Sequence, residues 1–222
     1  SQSSYSLAES SIKIPKLVDL AISNNMPAIA LTDNNNMFGA LEFSLECQKK
    51  GIQPIIGSSL NLLDIKYKHN YAQINLLVKN EIGYKNLINL SSKSHIEQND
   101  SIGININDLS KFSEGLVCYL GGEFNPLLIC KSQNEDQKVQ ELLNKFLLIF
   151  NKDLYFEIQR INNTLIDEYE SFFIQLANKH HIPIIATNNI KFENKEDYNA
   201  HDTLLCIAEK STITQSKRSR SN

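Results

Sequence analysis

Short apolar runs alternate along this chain with longer segments of helical period. Leu17, Val18, Leu20, Ala21 and Ile22 recur at helical spacing, so a first helix is expected, with Ser11 placed to cap it. The apolar run at 27–32 reads as a buried strand, and residues 37–50 read as a helix stopped by Gly51. Strands are expected again at 53–57 and 74–78, followed by a helix carrying Tyr84, Leu87, Ile88 and Leu90. The second half repeats the alternation, with strands at 115–120, 154–158 and 182–187 and helices at 136–150, 163–181 and 196–208. Residues 92–108 are polar and weakly periodic, which predicts a surface loop.

Repeated strand-then-helix units define an α/β class with a mostly parallel sheet. Such units suit a small barrel better than a doubly wound sheet, although the pattern alone accommodates both. In either architecture ligands gather at the carboxyl ends of parallel strands. The segments to inspect are therefore Thr32-Asp33-Asn34-Asn35-Asn36, Gly57-Ser58-Ser59, residues 157–162 and Thr187-Asn188-Asn189-Ile190-Lys191. These are rich in amides and hydroxyls, which bind transition metals poorly and cannot act as general bases near neutral pH.

The chain has 222 residues, 41% of them hydrophobic, enough for one large domain, expected over 1–210 with a linker at 211–222. A net charge of −3 lacks the basic excess of a stand-alone DNA binder. Cys47, Cys118, Cys130 and Cys206 form no CxxC pair and lie in apolar stretches, so they read as buried thiols of a reducing compartment. No apolar run is long enough to span a membrane, and residues 1–5 do not resemble a signal peptide, which makes a cytoplasmic location the expectation. The opening residue is serine, so the chain also reads as a fragment.

Five histidines remain as candidate ligands. His69 and His95 lie in polar segments and are expected in solvent, and His180 and His181 suit a helix C-terminus. His201 is expected to pack or hydrogen-bond within the last helix. No HxH, HExxH, Walker loop, GxGxxG or nucleophile elbow is present, so the residues alone define no catalytic set.

Seven segments, in order and at matching spacing, resemble the N-terminal PHP (polymerase and histidinol phosphatase) domains of bacterial DNA polymerase III alpha subunits, which are replicative C-family enzymes. They are Ser3-Ser4-Tyr5-Ser6-Leu7, Met26-Pro27-Ala28-Ile29-Ala30-Leu31-Thr32-Asp33, Asn36-Met37-Phe38-Gly39-Ala40, Gly51-Ile52-Gln53-Pro54-Ile55-Ile56-Gly57, Asn80-Glu81-Ile82-Gly83-Tyr84-Lys85-Asn86-Leu87, Ile185-Ala186-Thr187-Asn188, and Ala200-His201-Asp202-Thr203-Leu204-Leu205-Cys206-Ile207-Ala208. The resemblance implies a distorted seven-stranded β/α barrel with mostly parallel strands. The family's DNA-directed DNA polymerase (nucleotidyltransferase) machinery, with its magnesium, lies in domains absent here.

An active PHP site holds zinc or manganese on His, Asp and Glu ligands at strand ends. Carried over onto this sequence, those positions fall on Gln2, Glu9, Asn34, Ser59, Gln73, Ile161, Asn189 and Lys191, with the family's glycine at Asn35. Glu9 alone among them keeps a carboxylate, and Asp33 and Glu157 are retained as neighbours of the ligands. Amides and hydroxyls in these places remove charge and basicity, and Lys191 sets a cation where ions would sit, so no metal, cofactor or catalytic residue is expected in this chain. The implied role is a structural and interaction module. It would brace the rest of the polymerase alpha subunit, dock the proofreading exonuclease as in some members, and meet DNA only through the parent enzyme. The rival readings are a metal-dependent phosphoesterase or 3'-5' proofreading exonuclease, and a degraded fragment without function.

Overall fold

The computed structural model describes all residues except 8, 68–69, 97–100, 161–163, 189 and 216–222, and only the backbone at 67, 70 and 164–166. His69, Ile161 and Asn189 therefore fall outside the described residues, as does most of the expected linker after residue 210. The chain forms two compact units, Ser1–Ile56 with Asn189–Asn222, and Gly57–Asn188.

In the first unit, α1 (Ile14–Ser23) buries Ile14, Leu17, Val18 and Ala21, the three-and-four spacing of one helix face. Its N-cap is Lys13 followed by Pro15 in the first turn, not Ser11. Proline suits that turn because its missing N–H would be unpaired there anyway. β1 (Ala28–Asn34) follows, then α2 (Ala40–Lys50), which ends on Gly51 in the left-handed conformation at φ 71°. Phe43 and Cys47 from α2 close a core with Ile12, Leu17, Val18, Ile29, Leu31 and Ile52. The last helix, α8 (Tyr198–Ala208), buries His201, Asp202 and Cys206.

β2 (Gln53–Tyr67) runs from the first unit into the second, well beyond the five residues expected. β3 (Asn70–Val78) follows after two residues and pairs antiparallel with β2. A parallel return needs a crossover of a dozen or more residues, so a two-residue connection permits a hairpin only. Ala72, Ile74 and Leu76 alternate inward along β3, opposite Leu60 and Leu62 of β2. β3 also runs antiparallel to β4 (Leu116–Leu120), while β4, β5 (Leu154–Ile158) and β6 (Ile184–Ala186) are parallel. The sheet is thus mostly parallel, with β3 reversed against the expectation.

The hydrogen-bonded order is β1-β2-β3-β4-β5-β6, six strands where seven were expected. A trace of the seventh stands beside β1. The Ser1 amino group donates to Ala30 O at 3.2 Å and Ser1 O accepts from Thr32 N at 2.8 Å, which is one parallel ladder pair, too short to form a strand.

Helices α3 (Glu81–Ile96), α4 (Ile106–Phe112), α5 (Pro126–Ser132), α6 (Asp136–Phe150) and α7 (Thr164–His180) complete the second unit. The expected loop at 92–108 is shorter than read, because α3 continues to Ile96 and α4 starts from a capping box of Asn105 and Asp108. Helix α5 was not read from the sequence, although Asn125 caps it by accepting from Leu127 N at 3.0 Å. All four cysteines are buried and free. No helix among the described residues is long and apolar enough to cross a membrane.

The start of α3 meets the turn into β4 backbone to backbone. A β-carbon on Gly83 would stand 1.9 Å from Gly115 O, and Gly115 itself is left-handed at φ +74°. Gly83→Ala must therefore push two main chains apart. We expect it to cost about 2–3 kcal/mol, read from urea unfolding as a lower midpoint at unchanged slope.

Candidate functional site

The carboxyl end of β1 carries Thr32, Asp33 and Asn34, where a parallel α/β fold places its ligands. Asp33 is 1% exposed, and an isolated carboxylate at that depth would be untenable. The N-terminal segment satisfies it. Asp33 Oδ1 accepts from Ser3 N at 2.6 Å and Ser6 Oγ at 2.7 Å, and Oδ2 accepts from Ser3 Oγ at 2.8 Å. Ser6 Oγ accepts in turn from Asn34 N at 3.1 Å. Asp33 thus anchors the segment that precedes α1.

Four of the expected site residues close a ring beside it. Lys191 Nζ donates to Gln2 Oε1 and, at 3.3 Å, to Glu9 Oε2. Gln2 Nε2 donates to Asn34 Oδ1 at 2.8 Å, and Asn34 Nδ2 donates to Glu9 Oε2. One ammonium and one carboxylate fix the direction of both amides, since each amide must turn its oxygen toward a donor and its nitrogen toward an acceptor. Burial pulls the Lys191 ammonium below the usual lysine range, and the Glu9 carboxylate beside it opposes that pull without cancelling it.

Two backbone ties reinforce the ring. Lys191 O accepts from Ser11 N at 3.0 Å and Ser10 Oγ at 3.2 Å, which is where Ser11 goes in place of capping α1. His201, 1% exposed, has its Nε2 2.8 Å from Glu9 O. A carbonyl can only accept, so the ring proton sits on Nε2. His201 also lies 5.3 Å from the Phe192 ring, so it is the packing and hydrogen-bonding residue expected.

This donor set does not fit a divalent ion. Glu9 Oε2 receives two N–H groups, while Gln2 Oε1 and Asn34 Oδ1 each receive one. An ion set 4 Å from Lys191 would meet about 4 kcal/mol of repulsion per unit charge at an effective dielectric near 20. Among the described residues no three His, Cys, Asp or Glu side chains are grouped to hold a metal.

Ser59 and Gln73 belong to the second unit. Ser59 Oγ donates to Asn75 Oδ1, and Gln73 Nε2 donates to Asn61 Oδ1 at 3.1 Å, so both tie β2 to β3. Glu157, near the end of β5, forms a separate cluster there. Thr187 Oγ1 donates to Glu157 Oε1 and accepts from Gln159 Nε2 at 3.3 Å. Gly121 leaves the space for it, since a β-carbon there would lie 2.3 Å from Glu157 Cβ. Burial pushes the Glu157 carboxyl up, against the hydrogen bonds from Thr187 and Gln159 that favour its charged form. The anchoring roles of Ser3, Ser6 and Ser10 were not read from the sequence. Their signal is the serine-rich opening, whose hydroxyls supply short donors to a buried carboxylate.

With fold and site described, the family follows. Residues 1–161 match the family model described as PHP domain, and the chain belongs to that family. It is similar to the DNA polymerase III subunit alpha of Rickettsia conorii, at 43% identity over 93% of this chain and 18% of that protein. The corresponding subunit of Borreliella burgdorferi is 37% identical over 92% of this chain and 19% of its own length. The chain therefore spans about a fifth of the relatives it matches. Among solved structures, a candidate metal-dependent phosphoesterase from Bifidobacterium adolescentis aligns at TM-score 0.55 and 10% identity, over 87% of this chain and 86% of that one. An amidohydrolase from Chromobacterium violaceum with bound sulfate and no metal aligns at TM-score 0.55 and 9% identity, covering 91% and 94%. At such identities the likeness is one of fold.

The Glu157 cluster yields a pH signature. The folded-state pKa is raised above the ordinary 4.5, so the folded protein holds a proton that the unfolded chain releases first. The stability this gives is fully present below pH 4.5 and is lost as pH rises through the folded value, at up to about 1.4 kcal/mol per pH unit. Glu157→Gln, which cannot ionise, should flatten that stretch of the stability–pH curve, as measured by denaturant titration at several pH values.

Proposed function

We propose that this chain serves as a structural and interaction module of a replicative DNA polymerase III alpha subunit, with a PHP metal site that has lost its ligands. The observation that supports this reading is the Gln2–Asn34–Glu9–Lys191 ring, in which residues at positions the resemblance gives to metal ligands are bonded to one another instead. The relatives support the setting, because this region is a minor part of a much longer polymerase subunit in each of them. A cytoplasmic location and contact with DNA through the parent enzyme follow from the same reading.

A bracing module needs a face for its neighbour. Phe38, in the turn before α2, and Leu41 and Leu45 within it are spaced three and four residues apart and are 67%, 70% and 57% exposed. Such a stripe is the face by which the module packs on the rest of the subunit or on a proofreading exonuclease.

Two measurements test the proposal. The isolated chain, supplied with manganese or zinc, should neither extend a primer nor cleave DNA or a phosphomonoester; cleavage abolished by a chelator would make it a metal-dependent phosphoesterase instead. In a full-length alpha subunit, the double substitution Leu41→Glu and Leu45→Glu should lower thermal stability and polymerase activity together. The same pair should leave the isolated chain within about 0.5 kcal/mol of its original stability, because both positions are exposed.

A further inference from the structure

A structural metal ion joins side chains that are remote in sequence at one centre. In this chain a single residue has the same reach. Lys191 meets Gln2 and Glu9 through its ammonium and Ser10 and Ser11 through its carbonyl, across sequence separations of 180 to 189 residues. We propose that Lys191 is a positional lock, whose ammonium and carbonyl together hold Gln2, Glu9, Ser10 and Ser11 in place beside the end of β1, independently of any metal.

The geometry favours placement over net stabilisation. The Lys191 side chain is 18% exposed and its partner Glu9 is 46% exposed. The cation is thus removed from water more completely than the anion that compensates it, and such a pair returns little net stability. What it does supply is a tie from residue 191 to residues 2 and 9. With the ammonium in place, Gln2 Oε1 must face Lys191, so Gln2 Nε2 faces Asn34 and Asn34 Nδ2 faces Glu9. Without it, Glu9 still orients Asn34 and through it Gln2, but Gln2 Oε1 and Glu9 Oε2 each lose a donor and the side-chain tie to residue 191 is gone. Among its described residues the segment so placed lacks helix and strand until Ile14, and its own backbone ties are turns, Ser6 N to Ser3 O and Glu9 N and Ser10 N to Ser6 O. Ser4 N bonds to Ile12 O at 2.8 Å, and Ser11 N depends on Lys191 O.

The test is amide hydrogen exchange on the 222-residue chain, comparing the wild type with Lys191→Met, which keeps the aliphatic stem and removes the ammonium. We expect the Ser11 amide to exchange on the order of tenfold faster in the variant. The Leu76 amide, in the β2–β3 pairing of the second unit, should change less than about twofold, and the thermal midpoint should stay near that of the wild type. Glu9→Gln should loosen Ser11 less than Lys191→Met does, since an amide oxygen can still accept from Lys191. Zinc or manganese added to the wild type should not slow Ser11 exchange. The lock is overturned if Ser11 keeps its protection in Lys191→Met, or if Ser11 and Leu76 lose protection in proportion. A Lys191→Met chain that fails to fold overturns it too, since the lysine would then be a determinant of global stability. If Glu9→Gln behaved like Lys191→Met, the carboxylate and not the ammonium would be the organising charge. Every readout is taken on the isolated chain, so its failure is distinguishable from failure of the polymerase assignment.

Discussion

A carboxylate at the buried end of a strand must be compensated, and the first unit is organised around how that is done at Asp33. Bound cations are one solution in α/β folds. This chain uses another, a serine-rich segment folded back so that Ser3 and Ser6 surround the carboxylate with short donors. Once that segment is drawn in, Gln2 and Glu9 are committed to the same corner, and their polar groups need partners as well. Asn34, Lys191 and His201 provide them. The polar residues here form one connected network, each member pairing a polar group of another.

The two carboxylates retained at strand ends, Asp33 and Glu157, have different surroundings. Asp33 is enclosed by donors from the N-terminal segment, whereas burial pushes the Glu157 carboxyl up, against the hydrogen bonds it receives. The difference lies in the neighbours. Asp33 receives a backbone N–H and two hydroxyls from a segment that closes over it, while Glu157 is wedged against Gly121 with Thr187 as its short contact.

Much of this was legible in the sequence. β1, β4, β5, α6 and the end of α2 at Gly51 lie where apolar period and stop signals put them. Resemblance alone gathered Asn34, Ser59, Gln73, Asn189 and Lys191 near Glu9; Asn34 and Lys191 meet Glu9 in a ring with Gln2, while Ser59 and Gln73 tie β2 to β3 and Asn189 lies outside the described residues. The misreadings share a cause. The inward alternation of Leu60 and Leu62 marks a strand, but the register shifts between Leu62 and Lys66, and that irregularity hides the hairpin. Helices α4 and α5 are seven residues each, too short to show a period, and are announced mainly by their asparagine caps. Ser11 was assigned to the wrong partner because a serine before a helix is a cap by default, and nothing local reveals Lys191 O as a competitor.

The buried thiols have a use unrelated to chemistry at the site. Cys47 and Cys206 lie in one unit, and Cys118 and Cys130 in the other. Burial holds the Cys118 thiol in its unreactive protonated form, and burial raises Cys47 and Cys130 as well. A thiol-reactive dye therefore modifies these residues only when the surrounding structure opens. The molecule carries two pairs of native reporters, one for each half, and the order in which they are labelled states which half breathes first.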